Sequence, residues 1–432
     1  MKRGFYIIMA AQFFSSLADN ALLIAAVAML AELQGPAWLT PLLKFFFTIA
    51  YVVLAFVVGA FADAMPKGRV MFITNTIKVV GCTLILFNEF LSIANLPGYW
   101  LVLLAYAVVG VGAAAYSPAK YGILTELLPA EQLVIANGWI EGLTVASIVL
   151  GTLLGGMLIG PVMSKWLLAV DFPFIETSIN TAPEAAIVVI AGVYVVAALI
   201  NLMIPDTGAR YPHQDHSPVQ LLVDFSRCFM VLWRDKLGQI SLAVTTLFWG
   251  AGATLQFIVL KWAEKRLKMP LDKGAILVGV SAIGIAIGAV AAARFIPLRH
   301  AVRVLPVGVA MGCVMVLLVW VNWLPAVYLL LILVGALAGF FVVPMNALLQ
   351  HRGHVLLSAG HSIAVQNFNE NVSILMMLAL YSFMIRVNLS IDAIIMLFSL
   401  FVACTMYMVI RWNAANHRAD PHLDRLIGEA KH

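Results

Sequence analysis

Charged residues are scarce in this chain. Only 11% of its 432 residues are Asp, Glu, Lys or Arg, and 63% are hydrophobic, whereas a soluble domain carries about 25% charged residues. Apolar runs of about 20 residues, the length a helix needs to cross the hydrocarbon core, recur along the chain. The ten-residue alternation typical of membrane β-barrels is absent. The composition therefore predicts an all-α polytopic membrane protein and excludes a water-soluble one.

Common catalytic and metal-binding motifs are also missing. The four cysteines stand far apart without a Cys-x-x-Cys pair, which argues against a disulfide framework or a cysteine metal site. There is no Gly-x4-Gly-Lys-Ser/Thr loop for a nucleotide phosphate. The pairs His213/His216 and His351/His354 lack further ligands and fit solvated loops better than metal sites. We therefore expect no catalytic residues, no cofactor and no metal. Nucleic acid is not an expected partner either, because the basic residues lie in short loops.

The hydropathy pattern predicts twelve transmembrane spans in two groups of six. The first group is 5–33, 40–62, 70–92, 99–117, 136–162 and 184–204, and the second is 238–262, 274–294, 303–322, 326–349, 361–386 and 391–412. The corresponding domains are an N-terminal bundle at 1–204, a connector at 205–237, a C-terminal bundle at 238–412 and a tail at 413–432.

The distribution of Lys and Arg among the loops predicts that both termini, the connector and the tail are cytoplasmic, since basic residues favour the inside. Within the connector, Leu222, Phe225, Phe229 and Leu232 recur at helical spacing. This pattern favours a helix lying along the inner leaflet. A simple lead-in to the seventh span is the alternative.

A weak repeat relates the two halves. In both 113–142 and 340–371 a proline ends or kinks a helix, a polar loop follows, and the next helix opens with an amide and a Glu four residues later. Those pairs are Asn137 with Glu141, and Gln366 with Glu370. Two parallel six-helix repeats are the plan of the major facilitator transporters.

The loop "GAFADAMPKGRVM" at 59–71 resembles the signature of that superfamily between spans two and three. Asp63 and Arg69 match it, although the spacing is two residues longer and Ala64 replaces an arginine. The resemblance implies that Asp63 and Arg69 form charge-assisted contacts in one of two gating states, and we assign Glu141 to the gate as well. An ordinary basic cytoplasmic loop is the alternative.

Polar residues inside the predicted spans are the candidates for a binding site. A charged group at the centre of a membrane helix costs about 2.5 to 3.5 kcal/mol on insertion scales, so it is expected to face the bundle interior. The residues that we select are Asp19 and Asn20 in the first span and Gln256, Gln366, Asn367 and Glu370 in the second half. Asn75 and Lys78 in the third span are polar too. For each amide, hydrogen bonding between helices is an equally good interpretation.

Four runs carry a closer family resemblance: "GVGAAAYSPAKYGILTE" (110–126), "FWGAGATLQF" (248–257), "GFFVVPMNALLQHRG" (339–353) and "AVQNFNEN" (364–371). With "DNALL" in the first span, they resemble the bacterial lysophospholipid transporters of the major facilitator superfamily. The resemblance implies a non-enzymatic flippase that moves lysophosphatidylethanolamine and related lysolipids to the inner leaflet of the bacterial inner membrane. It also implies a functional partner, an acyltransferase/acyl-carrier-protein synthetase that reacylates them, and contact with membrane lipids.

This cargo assigns roles to the selected residues. Its ammonium group needs a carboxylate, for which Asp19 with Asn20 is best placed, and its phosphate needs a cation, for which Lys120 is the candidate. Gln256 and the cluster Gln366, Asn367 and Glu370 complete the expected site.

Two other functions fit the same sequence. A proton- or sodium-coupled exporter of drugs or small solutes would use Asp19, Glu141 or Glu370 to carry a proton. A membrane acyltransferase is a third reading, but the missing His-x4-Asp motif and the twofold repeat argue against it.

Overall fold

A computed structural model of the chain describes residues 3–55, 58–63, 65–87, 97–127, 130–169, 179–208, 218–356 and 359–421, together with 423 and 425. Within that part of the chain the regular structure consists of α-helices and short 3₁₀ segments, and no strand occurs. The all-α architecture expected from the apolar runs is therefore confirmed.

Fifteen α-helices lie in the described residues. The first eight are α1 (Arg3–Glu32), α2 (Thr40–Val53), α3 (Val58–Asp63), α4 (Lys67–Leu86), α5 (Gly98–Leu127), α6 (Ala130–Ile159), α7 (Pro161–Leu168) and α8 (Ala182–Leu202). The others are α9 (Pro218–Arg234), α10 (Gly238–Arg266), α11 (Leu271–Phe295), α12 (Leu305–Met315), α13 (Leu324–Leu356), α14 (Ala359–Arg386) and α15 (Ile391–Ala419). A 3₁₀ segment, Leu298–Val304, leads directly into α12.

Eleven helical segments in the described residues are long and apolar enough to cross a membrane, and a shorter apolar one covers Ala37–Val53. The second predicted span is therefore not one helix, since α2 ends at Val53 and α3 begins only at Val58. At the other end of the chain, α15 continues to Ala419, past the predicted span end at 412.

Two helices run through a proline where the sequence pattern predicted an end or kink followed by a loop. α5 continues through Pro118 to Leu127, and α13 continues through Pro344 to Leu356. Membrane helices tolerate proline because neighbouring helices and local adjustments satisfy the freed carbonyl. The prediction of polar loops after these prolines was wrong, and Lys120 lies within a helix.

The chain divides into two compact units. The first comprises Met1–Asp215 with Met269–Gly279, and the second comprises His216–Lys268 with Val280–His432. In the first unit, α1 packs against α6, α8, α5 and α2, while α4 packs against α5 and α8. Almost every apolar residue of α1 between Leu17 and Leu30 is buried, so α1 is the central helix of this unit.

In the second unit, α10 packs against α13, α14 and α15, and α12 packs against α13 and α15. The predicted connector helix forms as α9, but much of its predicted lipid-facing side packs against protein. Phe225 and Phe229 stand edge-on to Phe368 of α14, with ring centroids 5.3 and 6.3 Å apart, and Leu232 is fully buried. Leu222, in contrast, is 57% exposed. The apolar side of α9 therefore packs largely against the second unit, and only part of its apolar surface is exposed.

Candidate functional site

The strongest polar contact inside the first unit joins Asp19 of α1 to Lys78 of α4. The Lys78 ammonium donates to both carboxylate oxygens, at 2.8 Å to Oδ1 and 2.9 Å to Oδ2. The hydroxyl of Tyr194, on α8, donates to Oδ1 of the same carboxylate at 2.6 Å. Three helices therefore meet at Asp19.

Lys78 is enclosed on all sides. Its side chain is 1% exposed, and its remaining donor reaches the hydroxyl of Ser15 at 3.0 Å. The ammonium also lies 5.3 Å from the ring centroids of both Tyr116 and Tyr194. Aromatic faces attract a cation, most strongly when it is desolvated. These contacts explain how a lysine charge is held within an apolar helix.

Helical spacing assembles this cluster from two short polar stripes. Ser15 and Asp19 are four residues apart on α1, and Asn75 and Lys78 are three apart on α4, so each pair occupies one helix face. Gly112 of α5 allows close packing against the lysine stem, since a Cβ there would lie 2.8 Å from Lys78 Cγ.

The polar contacts extend one residue further. Ser15 Oγ donates to Oδ1 of Asn75 at 2.7 Å, while the buried Nδ2 of Asn75 has no hydrogen-bond partner among the described residues. We name Ser15, Asp19, Asn75, Lys78 and Tyr194 the α1–α4–α8 polar cluster. An unsatisfied buried donor costs about 1 to 3 kcal/mol, so the cluster holds a polar group that an additional acceptor would stabilise.

The carboxylate of Asp19 keeps some capacity to bind a cation. Its side chain is 23% exposed, in contrast to the enclosed Lys78. A carboxylate offers about four lone-pair positions; Lys78 and Tyr194 occupy both on Oδ1 and Lys78 occupies one on Oδ2. Within the described residues, one acceptor position on Oδ2 therefore remains.

The other two site residues predicted in the first unit form contacts of their own. The Asn20 amide turns back to its own helix, where Nδ2 donates to the carbonyl of Ser16 at 2.8 Å. Lys120 is half-buried in α5 and takes part in a contact of its own. Among the described residues, no hydrogen bond joins either of them to Asp19.

In the second unit the structure brings Gln366 and Glu370 together on α14, as their four-residue spacing predicted. Gln366 Nε2 donates to Glu370 Oε1 at 2.7 Å and to Oδ1 of Asn346, on α13, at 3.1 Å. Gln366 is 9% exposed and Glu370 is 8% exposed. The amide therefore links a buried carboxylate to the neighbouring helix, which is the helix–helix role that the sequence had left open.

The remaining predicted residues of this unit have few partners. Gln256 is half-buried in α10, and no described residue forms a hydrogen bond with its side chain. Asn367 is half-buried, and its backbone carbonyl accepts a hydrogen bond from Asn371 at 2.7 Å. Neither Gln256 nor Asn367 is hydrogen-bonded to Glu370 within the described part of the chain.

The proposed gate is described only in part. Arg69 is exposed in the first turn of α4, where its amide bonds the carbonyl of Pro66 at 2.9 Å. The side chains of Asp63 and Glu141 lie outside the described residues. The gating roles of all three stay predictions.

Sequence reasoning selected Asp19 but missed its partners. Lys78 and Asn75 were recognised as polar residues of a span, yet they were not assigned to the site. A signal for the pair was present in the sequence. Asp19 and Lys78 carry opposite charges in apolar spans of the same half, and each has a second polar residue, Ser15 or Asn75, on the same face of its helix. Tyr194 offered no comparable signal, because a tyrosine in an apolar helix is common.

Comparisons with known proteins agree with this architecture. A profile of the Major Facilitator Superfamily matches residues 8–375. The chain is 42% identical over 396 residues to the lysophospholipid transporter LplT of Yersinia enterocolitica, covering 91% of this chain and 90% of that protein. It is 41% identical over 397 residues to LplT of Yersinia pestis, with the same coverage.

A solved structure is similar in fold. The POT family transporter PepTSo superposes with a TM-score of 0.69 at 12% sequence identity, covering 97% of this chain and 99% of that one. At this identity the likeness concerns the fold alone. The molecule is an all-helical, multi-pass membrane protein, with eleven helical segments in its described residues long and apolar enough to span a membrane.

Proposed function

Because the chain belongs to the major facilitator superfamily and, within it, to the family of the LplT lysophospholipid transporters, we propose that it transports lysophospholipids. The observation that carries the proposal is similarity to these transporters along nine-tenths of both proteins. A partly accessible carboxylate in a buried polar cluster supports it further.

Asp19 binds the positively charged headgroup in this proposal. Its free acceptor position on Oδ2 receives one N–H of the lysolipid ammonium group, while Lys78 and Tyr194 hold the carboxylate from the buried side. Lys78 keeps the site neutral overall before substrate enters, so a zwitterionic headgroup brings no net charge into the bundle. Charge-assisted hydrogen bonds of this kind are about twice as strong as neutral ones.

The other roles follow from the family. Lys120 binds the phosphate, Asn20 lies beside Asp19, and Gln256, Gln366, Asn367 and Glu370 contribute from the second unit. Asp63, Arg69 and Glu141 act in gating. The division into bundles at 1–204 and 238–412, with a connector at 205–237 and a tail at 413–432, separates the moving halves.

The direction and context of transport are also part of the proposal. The protein flips lysophosphatidylethanolamine from the outer to the inner leaflet of the bacterial inner membrane, with both termini cytoplasmic. An acyltransferase/acyl-carrier-protein synthetase then reacylates the lysolipid, so the transporter itself performs no catalysis. Reaction of single cysteines introduced at each terminus with an impermeant thiol reagent in intact cells tests the orientation, since cytoplasmic termini stay unlabelled.

A reconstitution experiment tests the function. The purified protein is placed in liposomes, and leaflet exchange of labelled lysophosphatidylethanolamine is followed beside the diacyl lipid. We expect exchange of the lysolipid alone. Asp19→Asn is expected to abolish exchange while the protein still elutes as a folded species, because the headgroup loses its anionic contact.

Asp392→Asn provides the matched control. It removes a carboxylate from an ion pair with Arg266 (3.5 Å) in which both side chains are about one-third exposed, so exchange should continue. Wild-type exchange by Asp19→Asn would contradict the role of Asp19. Failure of the wild-type protein to move any lysolipid would contradict the proposed function.

A proton- or sodium-coupled exporter is the second candidate function. It is favoured by Asp19, because a partly exposed aspartate can carry a proton as well as bind a cation. A protonophore separates the two functions. Loss of transport on its addition, for a cargo that is not a lipid, would favour the exporter.

A further inference from the structure

A cationic pocket lies in the second unit, where the 3₁₀ segment Leu298–Val304 meets the last turns of α15. It is a partly open cavity of about 830 Å³. Its polar lining consists of Arg299, His300, Arg303, Asn413, His417 and Arg425. None of the residues proposed above to bind lysolipid lines it, so the pocket is separate from that site.

The third arginine of the lining, Arg425, lies beyond the end of α15. Leu423 is fully buried, and its amide bonds the carbonyl of Asp420 at 3.2 Å. The Asp420 carboxylate forms an ion pair with Lys236 at 3.8 Å. Arg425, two positions after the buried Leu423, is exposed and lines the pocket.

The described lining of the pocket is rich in positively charged side chains. Three arginines and two histidines line it, and no acidic residue is among its described lining residues. One imidazole is oriented by the backbone, since Nδ1 of His417 donates to the carbonyl of Asn413 at 3.0 Å. Three guanidinium groups around one cavity repel one another, and a bound anion relieves that repulsion. Guanidinium groups bind phosphate oxygens in pairs, so phosphate is the anion that suits them best.

The position of the pocket identifies the source of the phosphate. Arg299 and Arg303 lie at the start of one apolar span, Leu298–Val319, and His417 lies in the last turn of another, Ile391–Ala419. The ends of membrane-spanning helices meet the headgroup region, and the loop charges predict that both of these ends are cytoplasmic. Basic pockets between helix ends on that side suit anionic headgroups. Apolar Leu298 and Val302 also line the cavity, beside its charged groups.

From these observations we propose that the pocket is a binding site for the headgroup phosphate of an anionic phospholipid such as phosphatidylglycerol. The lipid stays bound as a resident of the second unit and is not the transported cargo. Arg299, Arg303 and Arg425 contact its phosphate oxygens.

Binding of a short-chain phosphatidylglycerol to the purified, delipidated full-length protein tests the proposal. Native mass spectrometry counts the bound lipid, and thermal unfolding measures the protection it gives. The triple variant Arg299→Gln/Arg303→Gln/Arg425→Gln should bind about a hundredfold more weakly, from roughly fivefold for each cationic side chain. The double variant Arg411→Gln/Arg418→Gln is the control. It removes two exposed arginines of α15, the helix that contributes His417 to the pocket, but neither arginine lines the pocket. This variant should bind the lipid as the wild type does.

Other results would overturn the assignment. Equal binding by the triple variant and the wild type would show that the pocket does not hold the lipid. Equal protection by inorganic phosphate would identify a free anion site instead. If the triple variant fails to fold, Arg425→Gln alone, beyond the end of α15, should still bind about fivefold more weakly. Because lysolipid exchange by these variants should be unchanged, failure here is distinguishable from failure of the transport function.

Discussion

The two units of this transporter hold the carboxylates of their apolar helices in different ways. In the first unit, Asp19 near the middle of α1 is bonded through both oxygens to the ammonium of Lys78. In the second, Glu370 accepts from the neutral amide of Gln366, which also reaches Asn346. The second unit places a buried ion pair at the end of its helices instead, where Arg352 bonds Asp235 at 2.7 and 3.1 Å.

The difference between an ion pair at Asp19 and an amide contact at Glu370 bears on how each unit can accommodate a charged group. An ion pair within an apolar bundle keeps its carboxylate available without burying net charge, whereas a lone buried charge is costly. An amide network satisfies polar atoms and joins helices, as expected between membrane helices. The proposed headgroup contact therefore lies in the first unit, where Asp19 is paired and partly exposed, whereas the Gln366 amide of the second unit joins α14 to α13.

Removal of the lysine should have the largest effect. Lys78→Met leaves Asp19 without its cation, and we expect a loss of about 3 kcal/mol in unfolding free energy, since breaking a buried pair costs about 3 to 5 kcal/mol and Asp19 is partly exposed. Thermal unfolding in detergent measures it. Lys261→Met, which breaks an exposed pair with Glu264 (2.9 Å), should change stability by less than about 1 kcal/mol. Equal effects of the two variants would contradict the buried role of Lys78.

Exchange of the two charges sharpens the comparison. Asp19→Lys/Lys78→Asp keeps an ion pair, so most of the stability lost in Lys78→Met should return. Lysolipid exchange should not return, because the carboxylate then stands at the enclosed position on α4. The melting temperature and the liposome assay are measured on the same preparation. Recovered transport would mean that the pair serves only to hold the helices together.

An intermediate effect is expected at the helix ends of the second unit. Asp235→Asn removes the charge that faces Arg352 but retains an oxygen that can accept from the amide of Gly238, now 2.7 Å from the carboxylate. We expect a loss of about 2 kcal/mol in unfolding free energy. Asp420→Asn, in the exposed pair with Lys236, is the control and should be nearly neutral. A neutral Asp235→Asn would show that this end of the unit is held by other contacts.

The smallest effect is expected at Glu370. Glu370→Gln keeps an oxygen that accepts from Gln366, so the unfolding free energy should change by no more than about 1 kcal/mol. Lysolipid exchange should weaken through a higher KM rather than vanish. Both are measured beside Asp19→Asn. A loss as complete as that of Asp19→Asn would remove the contrast between the two carboxylates.

Site contacts between residues close in the sequence could be predicted, and contacts between residues far apart in the sequence could not. Asp19 could be selected from the sequence because a charge within an apolar run is costly wherever it stands. The pair Gln366 and Glu370 could also be predicted, because four residues on one helix are always neighbours. Lys78 lies 59 positions from Asp19 and Tyr194 lies 175 positions away, and no helical periodicity relates such residues.

The helix ends were harder to place than the helices. Pro118 and Pro344 suggested boundaries, but both helices continue past them, as membrane helices can when neighbouring groups satisfy the freed carbonyl. The second span was predicted as one helix and is interrupted after Val53. The apolar stripe of α9 was predicted to meet lipid, and Phe225 and Phe229 meet Phe368 instead. Apolar periodicity predicts that one face of a helix is shielded from water, but it does not distinguish shielding by lipid from shielding by protein.

The sequence by itself determined a polytopic helical membrane protein, since the length and polarity of its apolar runs depend only on local composition. It also determined that Asp19 must face the interior, since a charge cannot face lipid cheaply. Only the tertiary structure decided that Lys78 and Tyr194 hold that carboxylate and that three arginines meet around one cavity. Contacts between distant segments depend on how helices pack, and helix packing is a property of the whole bundle.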